Sequence, residues 1–430
     1  MSAQIQGMKH VGYADVIGGG QVVVDGTTAY IAHMFSPHQN TIVDVKDPKN
    51  PRVIAEVPLG WPKGVHAHKV RAKNGLMVTN LEPVAYQAPA PEGFKGGINI
   101  YDVSNPAKPR HIKKWDCAKG GVHRFTFDGR YAYISPCLEG YHENIVMILD
   151  LKDPERPEEV GRWHFPGQHH AAGEQRTWDP KFPPRCHHPI RQGNYLFTSY
   201  WHGGFVILDI SDMSKPKYVS GINWTPQFKY PVHTCLPMPF EIDGKKLMVV
   251  TDEDALPRVE PGTGSLLWLV DISDIKNPIP FSSFLAADVE RGKAGQHTTC
   301  HQPAEDVMGT EIPVAYFARG LIMVDIKDPY RIEEVGRYTP DFGPGKHAHG
   351  NDCCWDDRGL IYLLDRVHGL YIMERKNGAG PKSVAGTKRA KQPAMASRRP
   401  AKKAAAKKKP AAKRKAPAKR RAASKKKGRR

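Results

Sequence analysis

The sequence predicts an all-β fold: a seven-bladed β-propeller closed by its own N-terminal strand, over residues 1–376, followed by a disordered basic tail over 377–430. Three observations lead there: one hairpin motif recurring seven times, a chain start shaped like the strand missing from the last repeat, and a division of charge at residue 376. Of 63 Lys and Arg residues, 22 lie in 377–430, which holds none of the 44 Asp and Glu. Residues 1–376 therefore carry 41 basic and 44 acidic residues, a nearly neutral body before a cationic segment of 54.

Each copy of the motif is an apolar run, then Asp, then a turn rich in Ser, Lys, Asp, Asn and Pro. The copies are TIVDVKDPKNP at Asp44, INIYDVSNPAKP at Asp102, VMILDLKDPERP at Asp150, FVILDISDMSKP at Asp209, LWLVDISDIKNP at Asp271 and LIMVDIKDPYRI at Asp325. A seventh, LYIMERKNG, places Glu374 at the acidic position. The intervals of 58, 48, 59, 62, 54 and 49 residues are too irregular for a stacked solenoid and suit four-stranded blades with variable loops. The β-branched run reads as a strand covered on both faces. The Asp carboxylate is placed to accept from the turn's own N–H groups, and Pro ends the ladder for want of one. Mixed strands such as RVIAEV, EEVGRW and KYVSGI follow and read as outer blade edges.

The seventh copy stops at Glu374 with no outer strand behind it, while the chain opens on KHVGYADV, which looks like those outer strands. Lys9–Val16 is expected to complete the last blade and remove an open edge. Two separate sandwich domains are the competing architecture, but they would not need one hairpin repeated seven times. The VDVKDP, LDISD, VDISD and VDIKDP copies resemble the LVIVD repeat of bacterial and archaeal β-propeller proteins. That resemblance covers nearly all of the body and implies a fold; it brings no single activity with it.

All 20 histidines precede residue 377. Inner strands of a propeller line the central channel, and six of seven expected inner-strand starts carry His: VHAHKV (His66, His68), VHRFTF (His123), CHHPI (His187, His188), VHTCLP (His233), HTTCHQP (His297, His301) and KHAHGND (His347, His349). Blade one offers Gln21 instead. Imidazole is a good donor to Cu, Fe and Zn near neutral pH, so His68, His123, His188, His233, His301 and His349 are the candidate ligands of a transition metal ion. Cys186, Cys235, Cys300, Cys353 and Cys354 stand beside these histidines, and a sulfur-containing shell would favour Cu(I) or Zn. Candidate catalytic residues are Asp252 and Glu82, as general bases or partners of the ligands, with Arg319, His202 and His368 from loops on the same face. A metal-free pocket for a polar ligand and structural filling of the channel are the alternatives.

Two long segments on that face, 80–97 and 164–186, read as lids or recognition elements, with Tyr86, Phe94 and Trp178 as possible walls over the ion. The tail, AKKAAAKKKPAAKRKAPAKRRAASKKKGRR, resembles the C-terminal tails of linker histones and histone-like bacterial proteins. It has too little apolar surface to fold alone, and its charge points to nucleic acid or another polyanion, bound without sequence preference. There is no apolar run long enough for a membrane span and no apolar stretch of a secretory signal at the start. Seven Cys, an odd number, suit a reducing compartment. The expectation is a cytoplasmic protein, with the nucleoid as the place to which its tail would direct it, and no membrane partner. Motifs for nucleotide phosphates and serine hydrolases are missing. Two functions fit: a metal-dependent oxidase, oxygenase or hydrolase acting on a small molecule at the channel mouth, or a propeller scaffold tethered to nucleic acid. Selenium-binding/methanethiol oxidase proteins and four-His iron carotenoid oxygenases are similar in architecture only, and no residue carries over from them.

Overall fold

The structure, a computed structural model, describes residues 4–35, 37–61, 64–84, 91–254, 265–286, 299–343 and 346–376. The tail, Tyr86 and His297 lie outside them. Each repeat forms an antiparallel meander. The first runs Gly19–Asp25, Thr28–His33, His38–Asp44 and Arg52–Pro58, paired in that order. Similar meanders span 65–116, 122–163, 184–222, 232–284 and 302–339. The last has three strands of its own, Gly350–Trp355, Leu360–Asp365 and Gly369–Arg375, and takes Met8–Ala14 as its outer strand. The innermost strands pack on one another in sequence order, and Gly350–Trp355 packs in turn on Gly19–Asp25. One addition was not foreseen: Gln4–Gln6 pairs with Glu333–Thr339 as a fifth strand.

The motif works as its residues dictate. Asp44, Asp102, Asp150, Asp209, Asp271 and Asp325 each accept the backbone N–H two residues on, at 2.8–2.9 Å. A second side chain three residues later repeats the device, as when Asp47 accepts from Lys49 N at 3.0 Å and Asp212 from Ser214 N at 3.0 Å. Two Asx turns in tandem reverse the chain with little help from side-chain packing. The six Asp-bearing copies share an irregularity in the pairing of the third and fourth strands, for example between Ile148 and Leu149 and between Ile207 and Leu208. There the outer strand passes so close to the next meander that a Cβ on Gly161 would run into the Met213 carbonyl.

The core lies between neighbouring sheets. Strand residues such as Ile42, Val43, Ile148, Leu149, Ile207, Leu208, Val249 and Leu269 are fully buried, each worth ~1.5–3 kcal/mol of burial. Outer strands are half exposed because only one of their faces is covered. Among the described residues no helix is long and apolar enough to cross a membrane.

Candidate functional site

The histidines gather because each opens an innermost strand, and adjacent strands hold them at one level. Ring centroids run His66–His68 4.3 Å, His68–His123 5.1 Å, His123–His187 4.7 Å, His187–His233 4.5 Å and His233–His301 4.1 Å. The series continues through Phe317, 4.5 Å from His301 and 5.4 Å from His349. Pairing is irregular at the start of several inner strands, between Val122 and Phe125, Pro184 and His188, and Val232 and Thr234. The two-residue alternation of side chains therefore breaks just where the histidines begin.

The network assigns the ring protons. Glu82, cross-strand from His66, accepts from His66 Nε2 at 3.0 Å and His123 Nδ1 at 3.0 Å, and lies 3.1 Å from His68 Nδ1, which itself accepts from Asn80 Nδ2 at 3.3 Å. His187 Nδ1 donates to the His233 carbonyl at 2.8 Å, and His301 Nδ1 to the Asn351 carbonyl at 2.5 Å. His233 Nε2 accepts from Arg124 Nη1 at 3.0 Å, so its Nδ1 donates to Thr234 Oγ1 at 2.8 Å. With one proton per neutral ring, Nε2 of His123, His187 and His301 carries a lone pair, while that of His233 is taken by Arg124. His123 Nε2 and His187 Nε2 face each other at 3.0 Å.

Burial keeps these rings neutral. It lowers His123 to about 4 against the pull of Glu82, and it lowers His68, His187, His233 and His301 well below the ordinary imidazole range. Burial alone would raise the Glu82 carboxyl, but His123 and His66 hold it down to about 2. At the other end Glu253 lies 3.8 Å from His233 Nε2 and 3.7 Å from His301 Nε2, its carboxyl raised by burial. Two donor sets result, His66–His68–Glu82 and His187–His233–Glu253, each with ligand atoms within 4.8 Å of one another.

Residues following the histidines build a second polar layer. Thr234 Oγ1 donates to Gln302 Oε1 at 2.9 Å and Gln302 Nε2 to Glu305 at 3.1 Å. Arg71 grips both Glu305 oxygens at 2.5 and 2.6 Å. Lys69 and Arg124 are buried in this layer, with Asp352 3.9 Å from Arg124 Nη2. Burial pushes the Lys69 amine down and the Asp352 carboxyl up.

The predicted residues divide accordingly. His68, His123, His233 and His301 come together with Glu82. His188 points into the second layer, 3.3 Å from Glu305 and 3.4 Å from Arg71; its place in the imidazole series belongs to His187. His349 stands behind Phe317. Asp252 turns away to accept from Trp268 Nε1 at 2.8 Å, and Glu253 next to it meets the imidazoles. His202 packs on Phe182 and Trp201, and His368 stacks on Phe342 at 3.3 Å. Arg319 closes the tight turn 316–320, donating its N–H to the Tyr316 carbonyl. All seven cysteines are free, and the five beside the histidines are buried. Cys186, Cys235, Cys300, Cys353 and Cys354 pack among apolar side chains, where burial raises their thiols far above the range of a ligand. The donor groups that lie close together among the described residues hold His and Glu and none of these cysteines. Phe94 belongs to a small cluster with Val65, Ala67 and Leu81, and Trp178 packs edge-on against Phe165 of its own insertion and against His142 of the preceding loop. Sequence reasoning preferred His188 and Asp252, whereas the structure brings their neighbours His187 and Glu253 to the imidazole series; register alone separates the members of each pair.

Comparison with known proteins defines the class: the chain is a repeat β-propeller. The LVIVD repeat matches residues 192–223 and 313–340. No protein with a curated description matches in sequence. Similar solved structures include Raptor of Chaetomium thermophilum, at 10% identity and a TM-score of 0.56, with 87% of this chain and 30% of that chain covered. This chain therefore spans less than a third of that relative. The WD40 repeats of RRP9 give 9% identity and a TM-score of 0.55 over 87% of this chain and 99% of that one. Hydrazine synthase of Kuenenia stuttgartiensis gives 13% and 0.52 over 85% and 97%. At these identities the likeness is one of fold alone.

Proposed function

We propose that the protein is a metal-dependent enzyme, a seven-bladed ring closed by Met8–Ala14, that acts on a small molecule at its histidine-lined channel mouth. One observation carries the reading: His123 and His187 present lone pairs to each other across 3.0 Å while their other nitrogens are committed as donors. Two metal–nitrogen bonds of roughly 2.0–2.1 Å bring their donor atoms about 3 Å apart, and anchoring the far nitrogen on a carboxylate or carbonyl is how metal-ligating imidazoles are held. His123, His187, His233 and Glu253 form the preferred set, with His233 Nε2 exchanging the Arg124 N–H for the ion. A nitrogen–oxygen shell suits Fe(II), Cu(II) or Zn. Bound there, such an ion supplies Lewis-acid or redox chemistry, so the reaction class is oxidase, oxygenase or hydrolase. Glu82 orients His66, His68 and His123, and Glu253 is the carboxylate placed to take a proton.

Elemental analysis of the full-length protein tests this. At least one ion per chain is expected, of which His123→Ala/His187→Ala loses one; no difference between that variant and wild type, or less than about a tenth of an ion in wild type with no gain on reconstitution with Fe(II), Cu(II) or Zn, overturns it.

A second reading, a non-catalytic scaffold tethered to nucleic acid, draws on the 22 basic and no acidic residues of 377–430. Under either reading the tail supplies counterion-release binding to polyanions, in the cytoplasm and near the nucleoid. Deleting 377–430 is expected to abolish DNA retention at low salt; unchanged retention removes the tether.

A further inference from the structure

Outside the channel, the insertion after the fourth strand of the 122–163 meander carries a second group of nitrogen and oxygen donors. His164 Nε2 lies 2.9 Å from Glu174 Oε1. The other carboxylate oxygen accepts the N–H of Gly167 at 2.8 Å and of His169 at 3.2 Å, so the backbone fixes the carboxylate and leaves Oε1 toward the rings. His169 stacks on Tyr141 at 4.1 Å and 8°, and His164 meets the same ring edge-on at 5.3 Å. A single 3-10 turn, His170–Ala172, reversed by Gly173 at φ 83°, brings His169 and Glu174 side by side. Donor atoms of His164, His169 and Glu174 all lie within 4.8 Å of one another, each residue partly exposed.

We propose that His164, His169 and Glu174 bind a divalent ion of the zinc class, separate from the ion of the channel. Two imidazoles and one carboxylate, with donor atoms within 4.8 Å of one another, are the donors of three-ligand zinc sites. The site borders a cavity of about 490 Å³ lined by Trp163, His164, Pro166, Gly167 and Glu174, from which the ion and a fourth ligand enter. Every donor lies in the eleven residues from His164 to Glu174, so an ion clips this segment to itself. The carboxylate–imidazole contact already made shows that little rearrangement is needed. Hydrogen-bonded ion pairs at exposed positions contribute little alone; three donors on one cation contribute more.

The test uses the full-length protein and Zn²⁺ alone. Equilibrium dialysis of wild type, the insertion variant His164→Ala/Glu174→Gln and the channel variant His123→Ala/His187→Ala separates the two sites. The insertion variant should bind one ion fewer than wild type, while the channel variant keeps this site. Equal zinc uptake by the insertion variant and wild type overturns the proposal, whatever the channel variant does. Trypsin cleavage after the exposed Arg176 gives an independent readout. Zinc at about 100 times its dissociation constant should slow it about a hundredfold in wild type, because opening is suppressed by that factor. It should leave the insertion variant unaffected, and equal slowing in both also overturns the proposal.

Discussion

His123 Nε2 lies 3.0 Å from His187 Nε2, and neither nitrogen has a proton to share, since Glu82 and the His233 carbonyl hold the protons on the far sides of the rings. Two lone pairs at that separation repel unless a cation lies near both. Replacing His123 or His187 by Ala should therefore lower the metal affinity of the channel site at least tenfold while leaving the β-sheet circular dichroism in place. His188→Ala should keep the ion, because that ring faces Glu305 and Arg71. Loss of metal in His188→Ala but not in His187→Ala would reverse the assignment.

Acid should release the ion late. An exposed imidazole begins to lose its metal near pH 6.5, where protons compete for the lone pair. His123 is lowered to about 4, and His187 and His233 well below the ordinary value, by burial. A lowered value moves proton competition down the pH scale, so dialysis at pH 5.5 should retain nearly all the metal bound at pH 7. Half-release near pH 6.5 would show that these rings titrate as exposed ones do.

Asp252 and its neighbour Glu253 are expected to behave oppositely on amidation. Burial raises Asp252 to about 8, so it is protonated at neutral pH in the fold and ionised when unfolded. The folded chain binds the extra proton, and stability is lost as pH rises from about 4 toward 8. Asp252→Asn removes that cost, worth up to about 4 kcal/mol at pH 7, and should raise the unfolding midpoint without changing metal content. Glu253→Gln should lower metal affinity. A fall in metal content in Asp252→Asn alone would restore Asp252 as the functional acid.

Gly161→Ala tests the close passage of outer strand and turn. The added Cβ meets the Met213 carbonyl and the Ser214 backbone, which have nowhere to go, so urea unfolding should show a loss of about 1–3 kcal/mol. Gly309→Ala, with nothing within 4 Å of its Cβ position, should cost little. Equal stabilities would mean that the turn yields freely.

The parts of the fold legible in the sequence are those fixed by local chemistry. An Asp that accepts its own turn's N–H groups is a short-range device, so six copies read plainly, and the strand Met8–Ala14 was visible through its likeness to EEVGRW. The level of the histidines followed from the same arithmetic. Their facing did not: irregular pairing between Pro184 and His188 and between Val232 and Thr234 depends on the neighbouring strand, and no period within one segment records it. Choosing Asp252 over Glu253 failed in the same way. Phe317, which separates His349 from the other rings, and Arg71, which reaches 234 residues along the chain to Glu305, come from positions that no histidine pattern marks.

Lys9 and Glu374, 365 residues apart, close the contact between Met8–Ala14 and Gly369–Arg375. At ~5–20 residues per second of synthesis, the early strand waits roughly 20–70 s for its partner while the six intervening meanders can already form. Its exposed Lys9 and His10 discourage foreign pairing during that interval. A chain that stalls before residue 369 would thus hold Met8–Ala14 without the strand it pairs with.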